Sequence, residues 1–228
     1  AKAGVTYEDW EKNFERLMGI EGKVLDEEIP GRSTRNLEFF TRFKRTHPGQ
    51  PVMLHYNGNA RSPLCHTEKY FAGHWLYFSG ARILSDVPAV AGETEIRVSD
   101  TKLFLVNMGR YETANEDIGL CELDANGKPD WRASEQVKLV AIDARKGVLR
   151  VQRGQYGTQP RAFRANHAHA AAHATEGPWG KQPSPLLWNY NHATTCPRDA
   201  RGKNCNDILV EELVAHFAPG GDLAVFDG

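Results

Sequence analysis

Val52-Met53-Leu54-His55-Tyr56-Asn57 is an apolar run of strand length that ends abruptly in imidazole, phenol and amide side chains. Three further stretches share that form: Lys23-Val24-Leu25-Asp26-Glu27-Glu28, Leu186-Leu187-Trp188-Asn189-Tyr190-Asn191-His192 and Leu223-Ala224-Val225-Phe226-Asp227. A continuous apolar run suits a strand covered on both faces, as in a parallel sheet. In parallel α/β folds the working residues collect at the carboxyl ends of the strands. The repetition therefore predicts one rim that gathers carboxylates, amides and aromatic rings from several strands.

The segments around these runs agree with that grammar at both ends of the chain. Thr6 with Asp9 reads as a capping box, and Tyr7, Trp10, Phe14, Leu17 and Met18 share a face of a helix over residues 6–18. Ser33 or Thr34 caps a second helix with Leu37, Phe40 and Phe43 on its buried face, ending before Pro48-Gly49. A strand–helix–strand crossover results. Past Gly177-Pro178-Trp179-Gly180 a helix is predicted from Asn206 or Asp207, burying Ile208, Leu209, Leu213, Val214 and Phe217 and ending at Pro219-Gly220-Gly221.

Between these ends the pattern is all-β. Glu95–Val98, Leu103–Val106, Ile118–Cys121, Val137–Ile142 and Val148–Val151 are short alternating segments, the last two flanking the hairpin loop Asp143–Gly147. The predicted fold is α/β: a TIM-barrel-like domain over 1–79 and 176–228, interrupted by an all-β insertion over 80–175. Four βα units do not close an eight-stranded barrel, so the reading expects the N-terminal part of a longer barrel. An open sheet, or completion by another chain, are the alternatives. Oligomeric state is left open.

Lys plus Arg (28) nearly balance Asp plus Glu (29), and the chain has no dense basic run, which argues against nucleic acid as a partner. No stretch approaches the length of a membrane span, and the start Ala1-Lys2-Ala3-Gly4 does not read as a signal peptide, so a secreted origin would require that one was already removed. Of the four cysteines, Cys196 and Cys205 enclose a polar loop that a disulfide could close, pointing to a secreted or periplasmic protein. No G-x-G-x-x-G, P-loop or G-x-S-x-G pattern occurs, so no cofactor is assigned. His167, His169 and His173 have no nearby carboxylate to complete a ligand set, and Asp199, Asn204 and Asp207 miss the EF-hand spacing; no metal is assigned.

Val52–Arg61, Tyr70-Phe71-Ala72-Gly73-His74-Trp75-Leu76-Tyr77 and Phe226-Asp227-Gly228, in that order, resemble a largely uncharacterised bacterial family assigned as glycoside hydrolases. The likeness covers most of the chain and implies a TIM-barrel catalytic domain with a β-rich insertion, acting on a carbohydrate substrate. Within the insertion, Arg153-Gly154-Gln155-Tyr156-Gly157-Thr158 and the run Ala168 to His173 resemble a β module of phage-tail and adhesion proteins, which implies scaffold or binding rather than catalysis. A non-catalytic carbohydrate-binding or adhesion protein is therefore the competing reading.

Glycoside hydrolysis uses two carboxyl groups across the scissile bond. The rim offers Glu27 or Glu28 at the first strand end and Asp227 at the last as catalytic candidates. Glu27 and Glu28 point to opposite faces if both lie on the strand. Sugar binding calls for aromatic faces and bidentate amides. His55, Tyr56, Asn57 and Asn59 form one such set, and Trp188, Asn189, Tyr190, Asn191 and His192 the other. By alternation Trp188, Tyr190 and His192 share one face, with Asn189 and Asn191 on the opposite one.

Overall fold

The computed structural model describes residues 4–22, 35–65, 67–108, 114–177 and 186–227. The chain is a mixed α/β protein that divides into two compact units, residues 1–58 with 207–228 and residues 59–206. The sequence reading set its boundaries at 79/80 and 175/176. No helix among the described residues is long and apolar enough to cross a membrane.

The smaller unit is built on helix α1 (Tyr7–Phe14), strand β1 (Ile20–Gly22), helix α2 (Arg35–Thr46) and strand β2 (Val52–Leu54), with helix α3 (Cys205–Phe217) leading into it. The Thr6 side chain caps α1 by accepting the Asp9 N–H. That helix stops at Phe14, leaving Leu17 and Met18 exposed. Strands β1 and β2 pair in parallel, Ile20 opposite Val52 and Gly22 opposite Leu54. Only glycine fits at position 22, because a Cβ there would lie 2.5 Å from the Phe40 ring. Tyr7, Ile20, Phe39, Phe40, Phe43, Val52, Leu223 and Phe226 form the core, with Trp10 ringed by Tyr7, Phe14, Phe39, Phe40 and Phe43 at 4.7–5.9 Å.

The larger unit opens with β3 (Ala60–Arg61), β4 (Ala81–Arg82) and β5 (Glu93–Arg97). It continues through β6 (Asp117–Leu123), β7 (Pro129–Asp143), β8 (Val148–Gln152), β9 (Ala168–Ala172), β10 (Thr175–Glu176) and β11 (Leu187–Asn189). Six of these form an antiparallel sheet in the order β4-β9-β6-β7-β8-β5. Its two edges meet: Leu84 N–H donates to Arg97 O at 2.8 Å and Ser99 N–H to Arg82 O at 2.9 Å, beside an Ile83–Val98 bridge. The curled sheet thereby shields edges that would otherwise invite aggregation. Alternate residues point inward to one core of Ile83, Ile96, Ile118, Leu120, Leu139, Leu149, Val151 and Phe163. Ala168, Ala170 and Ala172 are the small inward residues of β9. A second antiparallel sheet has the order β10-β11-β3.

Several predicted elements differ. Among the described residues β1–β2 is the one parallel strand pair, and Leu187–Asn189 pairs antiparallel with β3 and β10. Residues 223–226 are turns: Leu223 N–H returns to His216 O and Phe226 N–H to Leu223 O before an extended segment can form. The run Leu103–Val106 begins as a 3₁₀ turn because Asp100 accepts the Lys102 N–H. The first predicted strand, in the run Lys23 to Glu28, lies outside the described residues; the strand described just before it is β1. No TIM barrel is shown.

The Arg153-to-Thr158 motif has a structural task. Gly154 and Gly157 take φ of +64° and +77°, in the region open to glycine. That turn delivers the Arg153 guanidinium to Glu135, both side chains fully buried, at 2.8 Å and 2.5 Å. Glu135 also accepts Gly154 N–H at 2.8 Å and Arg161 N–H at 2.9 Å, while Arg153 donates to Pro88 O and Arg161 O. Removing one partner of such a pair strands the other charge in the interior. Glu135→Ala should lower unfolding stability by about 3–5 kcal/mol in chemical denaturation. Replacing both partners with methionine should cost less than the sum of the two single changes.

Candidate functional site

In the smaller unit, Glu21 of β1, Leu54 at the end of β2 and the His55-Tyr56 pair that follows it line an open cleft of about 640 Å³. Glu21 and His55 face each other there, with His55 Nδ1 3.3 Å from Glu21 Oε1. His55 N–H continues the pairing by donating to Gly22 O. Tyr56 joins the wall, and Leu213, Val214 and Phe217 of α3 supply its apolar side. Asn57 follows half-buried. Asn59 falls in the larger unit, where its carbonyl accepts the Tyr190 N–H.

Asp227 is placed differently from the prediction. Its carboxylate accepts the Val52 N–H at 2.8 Å and pairs with Lys44 at 2.5 Å, while its own N–H donates to Val52 O. Val52 begins β2, so Asp227 pins the amino end of that strand and His55 follows the carboxyl end. The Lys44 ammonium and the Val52 N–H hold the Asp227 carboxyl below its usual range. Such a group stays ionised at neutral pH and does not serve as a proton donor. Glu27 and Glu28 lie outside the described residues.

Trp188 and Tyr190 are 1 % and 2 % exposed, which corrects their assignment as sugar platforms. Trp188 lies flat on His173 at 3.7 Å between ring centres, and Trp75 stacks on Tyr190 at 5.4 Å. Trp188 Nε1–H donates to Asp117 at 2.9 Å, and Tyr190 OH accepts from Arg61 Nε at 2.7 Å. The reason is tertiary: both faces of the strand are covered, so the aromatic set packs inward. Asn189 donates to Glu176 and Asn191 to Gly73 O, whereas exposed His192 meets Asn206 at 2.6 Å. Cys196 and Cys205 are buried thiols, and Cys196 Sγ donates toward Gly73 O.

Around Trp188 lies a buried polar layer. Asp117 accepts Tyr156 OH at 2.5 Å as well as the Trp188 indole, and burial raises its carboxyl. Gln136 donates to Tyr77 OH at 3.0 Å, so its carbonyl accepts from His173 Nε2 at 2.8 Å, and Tyr77 OH donates on to Ala72 O. This order fixes the His173 tautomer and leaves Nδ1 buried without a partner. Burial holds that imidazole neutral. No group of His, Cys, Asp or Glu among the described residues is arranged to hold a metal ion.

A second cleft, of about 510 Å³, opens on this unit beside Tyr77, Phe78, Trp131, His169 and Asn191. Of these the sequence reading placed Asn191 in a sugar site and weighed His169 for metal. It missed Glu21, Phe78 and Trp131. Trp131 had a usable signal, being a lone large ring among the polar residues Asp130, Arg132 and Ser134. No protein-family model matches the chain, and neither a curated protein nor a solved structure does.

The neighbour of Asp117 sets a pH response. Glu116 is 2 % exposed and accepts Leu105 N–H at 2.7 Å; burial, aided by the charge of Asp117, pushes its carboxyl up to about 7. The folded state therefore binds a proton that the unfolded chain releases near 4.5. Stability should be full below that value, fall as pH rises between about 4.5 and about 7, and level off above. The loss is on the order of 3 kcal/mol. Denaturation across this range should show the slope, and Glu116→Gln should reduce it, the raised carboxyl of Asp117 contributing in the same direction.

Proposed function

We propose that this chain is a carbohydrate-active protein of the glycoside hydrolase type, with Glu27 and Glu28, which follow β1 in sequence, as its acid/base carboxylates. The observation that carries the reading is the parallel β1–α2–β2 unit, whose strand ends open into the cleft holding Glu21 and His55. Parallel α/β folds place their chemistry at that end. The resemblance of Val52–Arg61, Tyr70–Tyr77 and Phe226-Asp227-Gly228 to glycoside hydrolases supports the same reaction class. On this reading the crossover is one repeat of a barrel, and Glu27 and Glu28, which follow β1 in sequence, supply the acid.

His55, Tyr56 and Asn57 then bind hydroxyls beside the scissile bond. A carboxylate–imidazole pair is suited to this because it orients the ring and leaves Nε2 toward the substrate. Asp227, ionised and fixed at the start of β2, positions that strand and does not donate the proton. A second reading, a carbohydrate-binding or adhesion protein without turnover, is favoured by the uncharged cleft of the larger unit.

Release of reducing ends from a panel of neutral polysaccharides tests the hydrolase. Glu27→Gln or Glu28→Gln should lower turnover by about 10²–10⁴-fold, the range for loss of a positioned acid or base. Asp227→Asn should instead lower thermal stability, with turnover falling in proportion to the folded fraction. Full activity in both glutamate variants, or no cleavage of any substrate, would overturn the reading.

A further inference from the structure

Trp131 stands where β7 breaks register with β6. Cys121 pairs with Ser134 but Glu122 pairs with Asp130, so residues 131–133 have no partner opposite. Bulges of this kind re-aim side chains and are common beside binding sites. Here the indole lies face to face on Tyr77, with ring centres 3.8 Å apart and planes 7° from parallel. Both rings pass over Gly119, where a Cβ would come within 2.7 Å of each. The Gln136–His173 layer below holds Tyr77 in place through its hydroxyl.

The rest of the wall combines apolar surface with hydrogen-bonding groups. Phe78 is 53 % exposed. His169 stands on β9 at alternation with the inward alanines, and its ring lies over Gly80, with Nε2 2.5 Å from where a Cβ would sit. Neither ring nitrogen has a hydrogen-bond partner among the described residues. Burial and the Arg82 charge keep the imidazole neutral, so it offers one donor and one acceptor. No Asp, Glu, Lys or Arg lines the cleft. A charged ligand would find no counter-charge there, whereas a ring with one apolar face and a hydroxyl edge finds both of its complements.

We propose that this cleft binds a neutral sugar, its apolar face on Trp131 and Phe78 and a hydroxyl on His169. The inference rests on the carbohydrate-active reading above, but names a site separate from the Glu21–His55 cleft of the smaller unit. Titration calorimetry of the full protein with cellohexaose, mannohexaose and N-acetylchitohexaose tests it, with hexagalacturonate and a proline decamer as competitors. At least one neutral hexasaccharide should bind, and Trp131→Ala and Phe78→Ser should each weaken that binding at least about tenfold, as for a central aromatic anchor. Phe78 is exposed, so its variant keeps the test valid even where loss of Trp131 disturbs folding. Absence of binding by all three sugars, preference for the acid or the peptide, or unchanged affinity in Phe78→Ser would overturn the proposal. Hydrolysis measured on the same sugars separates the two readings: turnover without Phe78-sensitive binding removes the cleft, and Phe78-sensitive binding without turnover supports the cleft and removes the hydrolase.

Discussion

The ion pair of Glu135 and Arg153 is the constraint on which the larger unit depends. Two opposite charges at 2.5 Å, each without solvent exposure, are stable only if every remaining polar atom nearby is satisfied. The chain meets that demand by bringing three separate segments to the pair: the Gly154 turn, the Pro88 loop and the Arg161 loop all contribute backbone groups. The pair therefore acts as a registry device. Glu135 lies on β7 next to Gln136, so fixing one also sets the neighbour that orders His173 and Tyr77.

From that point the organisation propagates outward in layers. The inward face of the curled sheet is apolar, with alanines on β9 where the space narrows. Its outward face is polar but largely covered, because Tyr77, Trp188 and His173 lie over β6 and β7 and meet Asp117 and Gln136. Polar groups so placed are costly when unmet and specifying when met. His173 Nδ1 is left unmet, in a ring that stacks on Trp188.

Period-2 alternation made the β-rich middle legible. Ile118–Cys121, Val137–Ile142 and Val148–Val151 all lie in strands, and the Asp143–Gly147 segment joins two of them. The first two helices were legible from the Thr6 cap and the spacing of Phe40 and Phe43. The third was read as burying Val214, which is 56 % exposed. Direction of pairing was not legible, since an apolar run such as Leu186–Trp188 looks alike in a parallel and an antiparallel sheet when both faces are covered. Short runs are also poor witnesses near glycines: Gly220-Gly221 lets residues 223–226 coil back onto α3, though their composition reads as strand. The same limit governs the candidate sites. Alternation separated Trp188 and Tyr190 from Asn189 and Asn191, but only tertiary packing decides which set is core. At Trp131 the lone ring among polar residues was the legible signal, while the register break beside it was not, because pairing is invisible in composition.

The two clefts differ in the kind of chemistry their walls support. The cleft of the smaller unit sets a carboxylate, Glu21, against an imidazole, His55, at 3.3 Å. A binding cleft gains nothing from titratable groups and loses specificity when they attract ions. The wall around Trp131 contains none that is charged, and its one imidazole is kept neutral by burial. A sheet built only for stability would have no reason to expose Phe78 or to interrupt β7 at Trp131, where each costs pairing or solvation. Those two departures from an economical sheet are explained together if the larger unit presents a surface to a ligand. The scaffold reading of the Arg153 motif and the binding reading of the cleft are then complementary, because the rigid turn at Arg153 holds Glu135, Gln136 and hence the ring on which Trp131 rests.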